Sequence, residues 1–340
     1  MAQFWHTNQN TLPPQYKPLN HWNKSATIYE LLTPKCSLMK NNKNQTPPRQ
    51  RYPNFDRLVD EISLLDYRQC RQFLTKKISP KYPRFQYKYM ALPAGDSDRR
   101  ERFLRDIVVG SKLWLSPPTD FNDPFDMTAK VVFDGTTNML REKFEKLIAT
   151  QGDLKWKERK KLLDKFMARP RHEWQKISEA AFNSNLQKTG VFSFAGDPRS
   201  ILMWSHYADN HQGVCLQFEV ARHPRIMLEA IPVDYVEDYP VLNWANDTEG
   251  QLRDIILAKF KHWDYEKESR IIWQGGAKTS TSFKPEALTR IIFGCRADDR
   301  VSNIVNDILN ERKKLGMPDV ETYKAHKHSS KYELVIKKLS

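Results

Sequence analysis

The chain has 340 residues, 39% of them apolar, with nine Trp, thirteen Tyr and seventeen Phe, enough large apolar surface to build a core and exclude disorder throughout. Its net charge of +14 points to acidic partners without naming a reaction, and its four scattered cysteines, Cys36, Cys70, Cys215 and Cys295, argue against a disulfide framework or a structural zinc. No stretch nears the roughly 18 apolar residues of a membrane span, and MAQFWHTNQN lacks the basic-then-apolar order of a secretory signal, so a cytoplasmic protein without a membrane partner is expected.

Residues 1–55 are rich in Asn, Gln, Pro and Lys and lack sustained periodicity, which predicts an arm preceding one domain over 56–340. Leu58, Ile62, Leu65, Tyr67 and Phe73 recur at helical spacing and predict a helix over 56–76. FQYKYMAL (85–92) alternates as a strand does, and a helix at 98–109 and a short strand at 113–116 follow. The basic region around 136–188 reads as an inserted helical layer broken at Arg169 and Pro170. Within it, residues 155–176 hold nine Lys or Arg against three acids, with Trp156, Phe166 and Trp174 available to stack on bases of a nucleic acid; a solvated helix is the alternative. Strands are then expected at 191–194, 213–220, 231–236, 269–273 and 290–294, with helices at 199–210, 249–263 and 298–314. Several of these strand pairs lack the crossover length that parallel pairing needs, so the fold expected is α+β with a mainly antiparallel mixed sheet.

The phrases YKY (87–89), LWLSPPTDFNDPFD (113–126), VFSFAGDPRSILMWSHYADNHQGVCLQFE (191–219), WDYEKESRII (263–272) and IIFGCR (291–296) together resemble the bacterial domain-of-unknown-function 2971 family, in the order that family shows. A weaker resemblance, in the order of elements, is to ADP-ribosyltransferases: an early aromatic strand with a polar centre, a middle FSF strand and a late E-x-E. That second resemblance implies an ADP-ribosyltransferase-like architecture using NAD without a GxGxxG motif.

Three segments carry the candidate chemistry. If YEKESR (265–270) is a strand, Glu266, Glu268 and Arg270 share one face, and two carboxylates there suit hydrogen bonding to a ribose and stabilisation of an oxocarbenium-like transition state. The transferase resemblance makes one of them the catalytic glutamate, with Glu268 favoured; the structural alternative is a surface strand whose carboxylates pair with Arg270 and lysines. NDPFD places Asn122, Asp123 and Asp126 around a proline-fixed turn, as a pocket wall orienting a ligand hydroxyl or as a loop staple. In MWSHYADNHQG most of the stripe Met203, Trp204, Tyr207 and Ala208 reads as core, while His206, with Ser193 upstream, is a candidate general base or donor. His206 and His211 are five apart and make a poor metal pair, so no metal site is expected. Lys88 stands where the transferase resemblance carries its first NAD-contacting residue, commonly His or Arg, and can bind a phosphate as a point charge.

The expectation is therefore an NAD-consuming, ADP-ribosyltransferase-like toxin or phage-defence effector acting on nucleic acid or protein. Its catalytic candidates are Glu268, Glu266 and His206; Lys88, Tyr89, Ser116, Asn122, Asp123, Ser193, Trp204, Tyr207 and Arg270 line the cofactor site. The alternative is a non-catalytic module binding nucleic acid or an acidic partner through 155–176, and a metal-dependent nuclease is a lesser possibility. The sequence leaves the oligomeric state open.

Overall fold

The computed structural model describes residues 53–78, 83–94, 97–149, 154–246 and 248–339, so the expected arm falls outside the described residues apart from its last three. Helices α1 (Pro53–Ser63) and α2 (Tyr67–Phe73) come first. Strand β1 (Phe85–Met90), helix α3 (Ser97–Val108), and strands β2 (Lys112–Leu115) and β3 (Lys130–Val132) follow. Three helices, α4 (Thr137–Ala149), α5 (Trp156–Met167) and α6 (Arg171–Lys188), lead into β4 (Gly190–Phe194). Helix α7 (Ile201–Tyr207), β5 (Val214–Glu219), α8 (Pro224–Met227), β6 (Ile231–Pro232), β7 (Asp234–Val236) and β8 (Val241–Asn243) come next. The chain ends with α9 (Thr248–Leu257), β9 (Ala258–Phe260), β10 (Ser269–Trp273), β11 (Thr279–Ser282), β12 (Leu288–Phe293), α10 (Asp299–Lys314), β13 (Glu321–Lys327) and β14 (Leu334–Lys338). Among the described residues no helix is long and apolar enough to cross a membrane.

The fold is mixed α+β. Its largest sheet runs β1-β5-β12-β13-β14, antiparallel except between β12 and β13. That parallel pair is possible because α10 lies between the two strands and supplies the crossover. All six residues of β5 are buried, as a central strand covered on both faces requires. A second sheet, β4-β10-β6, is antiparallel, and β2 pairs with β11. Strand β4 joins the three sheets through two isolated bridges, Tyr87 to Ala195 and Ser116 to Val191. The register around the first bridge is what brings Lys88 of β1 beside Ser193 of β4.

The single helix expected over 56–76 is interrupted at Asp66, whose carboxylate accepts from the Gln69 N–H at 2.8 Å while the Gln69 side chain accepts from the Asp66 N–H at 3.2 Å. This reciprocal capping box starts a new helix and outweighs the continuous apolar spacing. The helix expected over 249–263 stops at Leu257, because Ala258–Phe260 pairs in parallel with Asp234–Val236 instead. The strand expected over 231–236 splits at Val233 into one piece on β10 and one on β9.

Helices α4, α5, α6 and α9 pack with β3 and β8 around an apolar cluster of their own. Phe144, Phe166 and Trp174 form its centre, with ring centroids 4.8–5.3 Å apart. Phe166 and Trp174 are 2% and 1% exposed, which corrects the expectation that they are free to stack on bases. Trp156 is 72% exposed, with the Lys160 ammonium 5.6 Å from its ring centroid.

Candidate functional site

The strand expected at 269–273 is present as β10, but the condition that 265–270 as a whole is a strand is not met: Lys261–Glu266 is a 3-10 turn and Lys267 is left-handed with φ 45°. Glu266 and Glu268 nevertheless meet, because the left-handed Lys267 reverses the chain around a common partner. That partner is Lys259 of β9, whose Nζ lies 2.5 Å from Glu266 Oε2 and 2.8 Å from Glu268 Oε2. Gly196 packs on this turn, where a Cβ would come within 2.7 Å of the Lys267 Cβ.

Arg270 completes the cluster from below. Its Nε donates to Glu268 Oε1 at 2.8 Å, its Nη2 donates to both Asp126 oxygens at 2.8 and 2.6 Å, and its Nη1 donates to the Ile256 carbonyl at 3.0 Å. Asp126 also lies 3.6 Å from Lys259 Nζ. It reaches this position from the NDPFD turn, where Asp123 Oδ1 accepts from the Phe125 N–H at 2.9 Å and fixes the loop. Arg270 is fully buried, and Lys259, Glu266 and Glu268 are nearly so.

Three carboxylates thus share two cations in a buried place, leaving one surplus negative charge when all are ionised. The carboxylate with least support takes up a proton first. Glu268 has both cations; burial alone would push its pKa up, but Arg270 and Lys259 overturn that and hold it well below the usual carboxylate range. Glu266 has Lys259 and the Tyr207 hydroxyl, which donates to its Oε1 at 2.7 Å; burial and the neighbouring Glu268 leave its pKa raised. Lys259 is held protonated, its burial outweighed by Glu268, Glu266 and Asp126. Two carboxylates two residues apart therefore have opposite characters, one a fixed charge and one able to exchange a proton.

Lys88 approaches from β1. Its Nζ donates to the Ser193 carbonyl at 3.0 Å and stands 4.5 Å from the Phe192 ring centroid. Burial lowers its pKa to about 8, with Glu268 and Glu266 resisting the shift. Lysine in an unfolded chain titrates near ~10.4. Between those values the unfolded chain binds more protons, so this group makes stability rise with pH from about 8 upward, and Lys88→Met should remove that rise. Urea unfolding of the two proteins from pH 7 to 9.5 measures it; parallel curves would contradict the assignment.

The other expected site residues separate into two groups. Tyr207, Asn122, Ser193 and His206 lie around the cluster: Asn122 is hydrogen-bonded to the Tyr207 side chain, and His206 is exposed, with its ring 6.2 Å from Trp263 and 6.3 Å from Tyr265. Tyr89 and Trp204 instead pack on each other edge to face at 5.1 Å, the Tyr89 hydroxyl donating to the Asp197 carbonyl and the Trp204 indole to the Pro198 carbonyl. Ser116 sits on the bridge to Val191, and Asp123 spends its carboxylate on the turn. Lys259 and Tyr235, whose hydroxyl accepts from the Glu268 N–H at 2.8 Å, escaped the sequence reading. Lys259 lies in a segment whose spacing suggested a helix, while Tyr235 lies in an expected strand; the signal that could have found Lys259 is a lysine flanked by apolar residues shortly before an E-x-E.

Residues 203–271 match the family described as Protein of unknown function (DUF2971), which agrees with the resemblance carried by MWSHYADNHQG and the strand after it. The matched stretch holds Tyr207, Lys259, Glu266, Glu268 and Arg270, and leaves out Lys88 and Asp126. No curated protein and no solved structure matches the chain.

Proposed function

We propose that this protein is an NAD-consuming, ADP-ribosyltransferase-like enzyme whose reaction centre is the charged cluster beneath Tyr207, with helices α4 to α6 as a basic insertion that presents the target. The observation that carries the reading is the polarity of the site: a cation, Lys88, on one side and a surplus negative charge on the other. NAD has the complementary pattern, an anionic pyrophosphate joined through ribose to a cationic pyridinium. The junction of β1 and β4, where two sheets meet through a single bridge, is a further support, since it brings elements distant in sequence to one place.

In this reading the glycosidic C–N bond breaks with its electron pair moving to the nicotinamide nitrogen, which leaves neutral and needs no acid. Glu268, kept ionised by Arg270 and Lys259, supplies a constant negative charge to the oxocarbenium that develops on the ribose. Glu266 accepts the proton of the incoming nucleophile and is steered by the Tyr207 hydroxyl. The exposed ring of His206, with Trp263 and Tyr265, offers a surface for a flat base or ring. Calorimetric titration with NAD should give saturable binding that Lys88→Met weakens about tenfold or more, the scale of one lost charge-assisted contact; no heat of binding to the wild type would defeat the proposal.

A second reading has its own observation in the exposed Trp156 and Lys160 on α5, alongside exposed Lys157, Lys161 and Lys165. These suit a phosphate backbone with one stacked base. Reversing Lys157, Lys161 and Lys165 to Glu should reduce RNA or DNA binding about a hundredfold at low salt and flatten its salt dependence. A fluorescence-anisotropy titration at two salt concentrations decides it, and affinity unchanged by the reversals contradicts it.

A further inference from the structure

At the end of α7 a second set of polar side chains, Ser205, His211 and Cys295, forms a chain of contacts. Ser205 Oγ is 3.1 Å from His211 Nε2, and Cys295 Sγ is 3.8 Å from His211 Nδ1. The single hydroxyl hydrogen of Ser205 is committed to the Ile201 carbonyl at 3.0 Å. With the Ser205 hydrogen on the Ile201 carbonyl, Ser205 accepts from His211 in the tautomer that carries the imidazole proton on Nε2 and turns the Nδ1 lone pair to the Cys295 thiol. That is the tautomer a base needs.

The backbone holds this alignment rigidly. Asp209, Asn210 and His211 take successive left-handed conformations, with φ 50°, 51° and 70°, which L side chains adopt at a cost. The strained turn is pinned by the His211 N–H donating to the Trp204 carbonyl at 3.1 Å and by its own carbonyl accepting from the Arg296 N–H at 3.0 Å. Gly294 lets the turn after β12, which carries Cys295, come this close, since a Cβ there would lie 2.0 Å from the His211 carbonyl oxygen. The imidazole is also parallel to the Trp204 ring, with centroids 6.3 Å apart.

Cys295 differs from Cys70 and Cys215, the other described cysteines, which are buried in the core; it is half-buried. The charged groups that act on His211 are Arg296, next to Cys295, and Lys327 at the end of β13, both exposed. Burial and these two cations keep the imidazole neutral at lower pH than usual. The same two cations attract an anionic reagent.

We infer that Cys295 is a nucleophilic thiol, with His211 as its base and Ser205 as the residue positioning the base, and that it exchanges with small anionic disulfides. The Cys295 S–H proton passes to His211 Nδ1, and the thiolate attacks one sulfur of the disulfide. A new S–S bond forms on Cys295, the reagent's S–S bond breaks with its electron pair on the departing sulfur, and that thiolate takes the proton from His211. The protein thiol is oxidised to a mixed disulfide and half of the reagent is reduced to a thiol.

Stopped-flow reaction of the full chain with the dianionic reagent dithiobis(nitrobenzoate), and in parallel with the neutral disulfide dithiodipyridine, tests this. A fast phase about tenfold above that of a free cysteine is expected for the anionic reagent, the low end of what electrostatic attraction adds to an association rate. Peptide mapping should place the adduct on Cys295, and Cys295→Ser should lose the phase. His211→Gln should slow both reagents to the unassisted rate, whereas Arg296→Gln with Lys327→Gln, both exposed, should slow the anionic reagent alone, with unchanged urea unfolding confirming that the turn Arg296 touches at the Asn210 carbonyl is intact. A fast phase that survives Cys295→Ser, or rates unchanged by both the His211 and the Arg296/Lys327 substitutions, overturns the inference.

Discussion

Replacing Arg270 by methionine should cost about 3–5 kcal/mol of folding stability, read from urea unfolding at pH 7. The side chain is fully buried and its guanidinium holds Glu268 and Asp126 from β10, so the substitution leaves three carboxylates, Asp126, Glu266 and Glu268, facing the single ammonium of Lys259 in a buried place. The cost comes from those stranded charges more than from the lost contacts. Adding Asp126→Asn and Glu268→Gln to Arg270→Met should therefore recover much of the loss, since neutral amides need no counter-ion. A loss below about 1 kcal/mol for Arg270→Met would mean that water reaches the cluster and that it is an ordinary surface network.

Glu266→Gln should behave in the opposite way on stability while slowing the proposed chemistry. The pKa of Glu266 is raised in the fold, so the native state binds more protons than the unfolded chain above the ordinary glutamate range. Ionising it costs stability as pH rises through its folded pKa, and the amide removes that cost. The variant should fold at least as stably as the wild type at pH 8 and still lose about 10²–10⁴ of its rate of NAD cleavage, the usual contribution of a positioned base. Activity of the wild type should rise with pH through the Glu266 titration. A Glu266→Gln enzyme with full activity would remove Glu266 from the reaction, and one that is inactive because it unfolds would contradict the stability sign.

The strands were legible where the core decides them. FQYKYM and VCLQFE form strands as the alternation and apolar density imply, and the strand expected at 290–294 is present as Leu288–Phe293. Strands β13 and β14 were not, since ETYKAHK carries one buried residue, Ala325, and its identity as a strand comes from the neighbour it pairs with. The turn at 261–266 was misread for a related reason. Nothing local announces that Lys267 is left-handed; the conformation is imposed by Lys259, which draws Glu266 and Glu268 to one point. The pairing of Glu268 with Arg270 was visible as an alternative, but its burial was not, because Asp126 arrives from 144 residues away. Trp156 and Trp174 read identically in sequence, and only packing assigns one to solvent and the other to the helical core.

The most direct test of the proposed chemistry is nicotinamide release from NAD, measured by chromatography with purified protein, alone and with added nucleic acid or cell extract as acceptor. Release above the uncatalysed background by the wild type, absent with Glu266→Gln, is the predicted result. No release by the wild type under any of these conditions, at an NAD concentration that saturates the calorimetric titration, would contradict it.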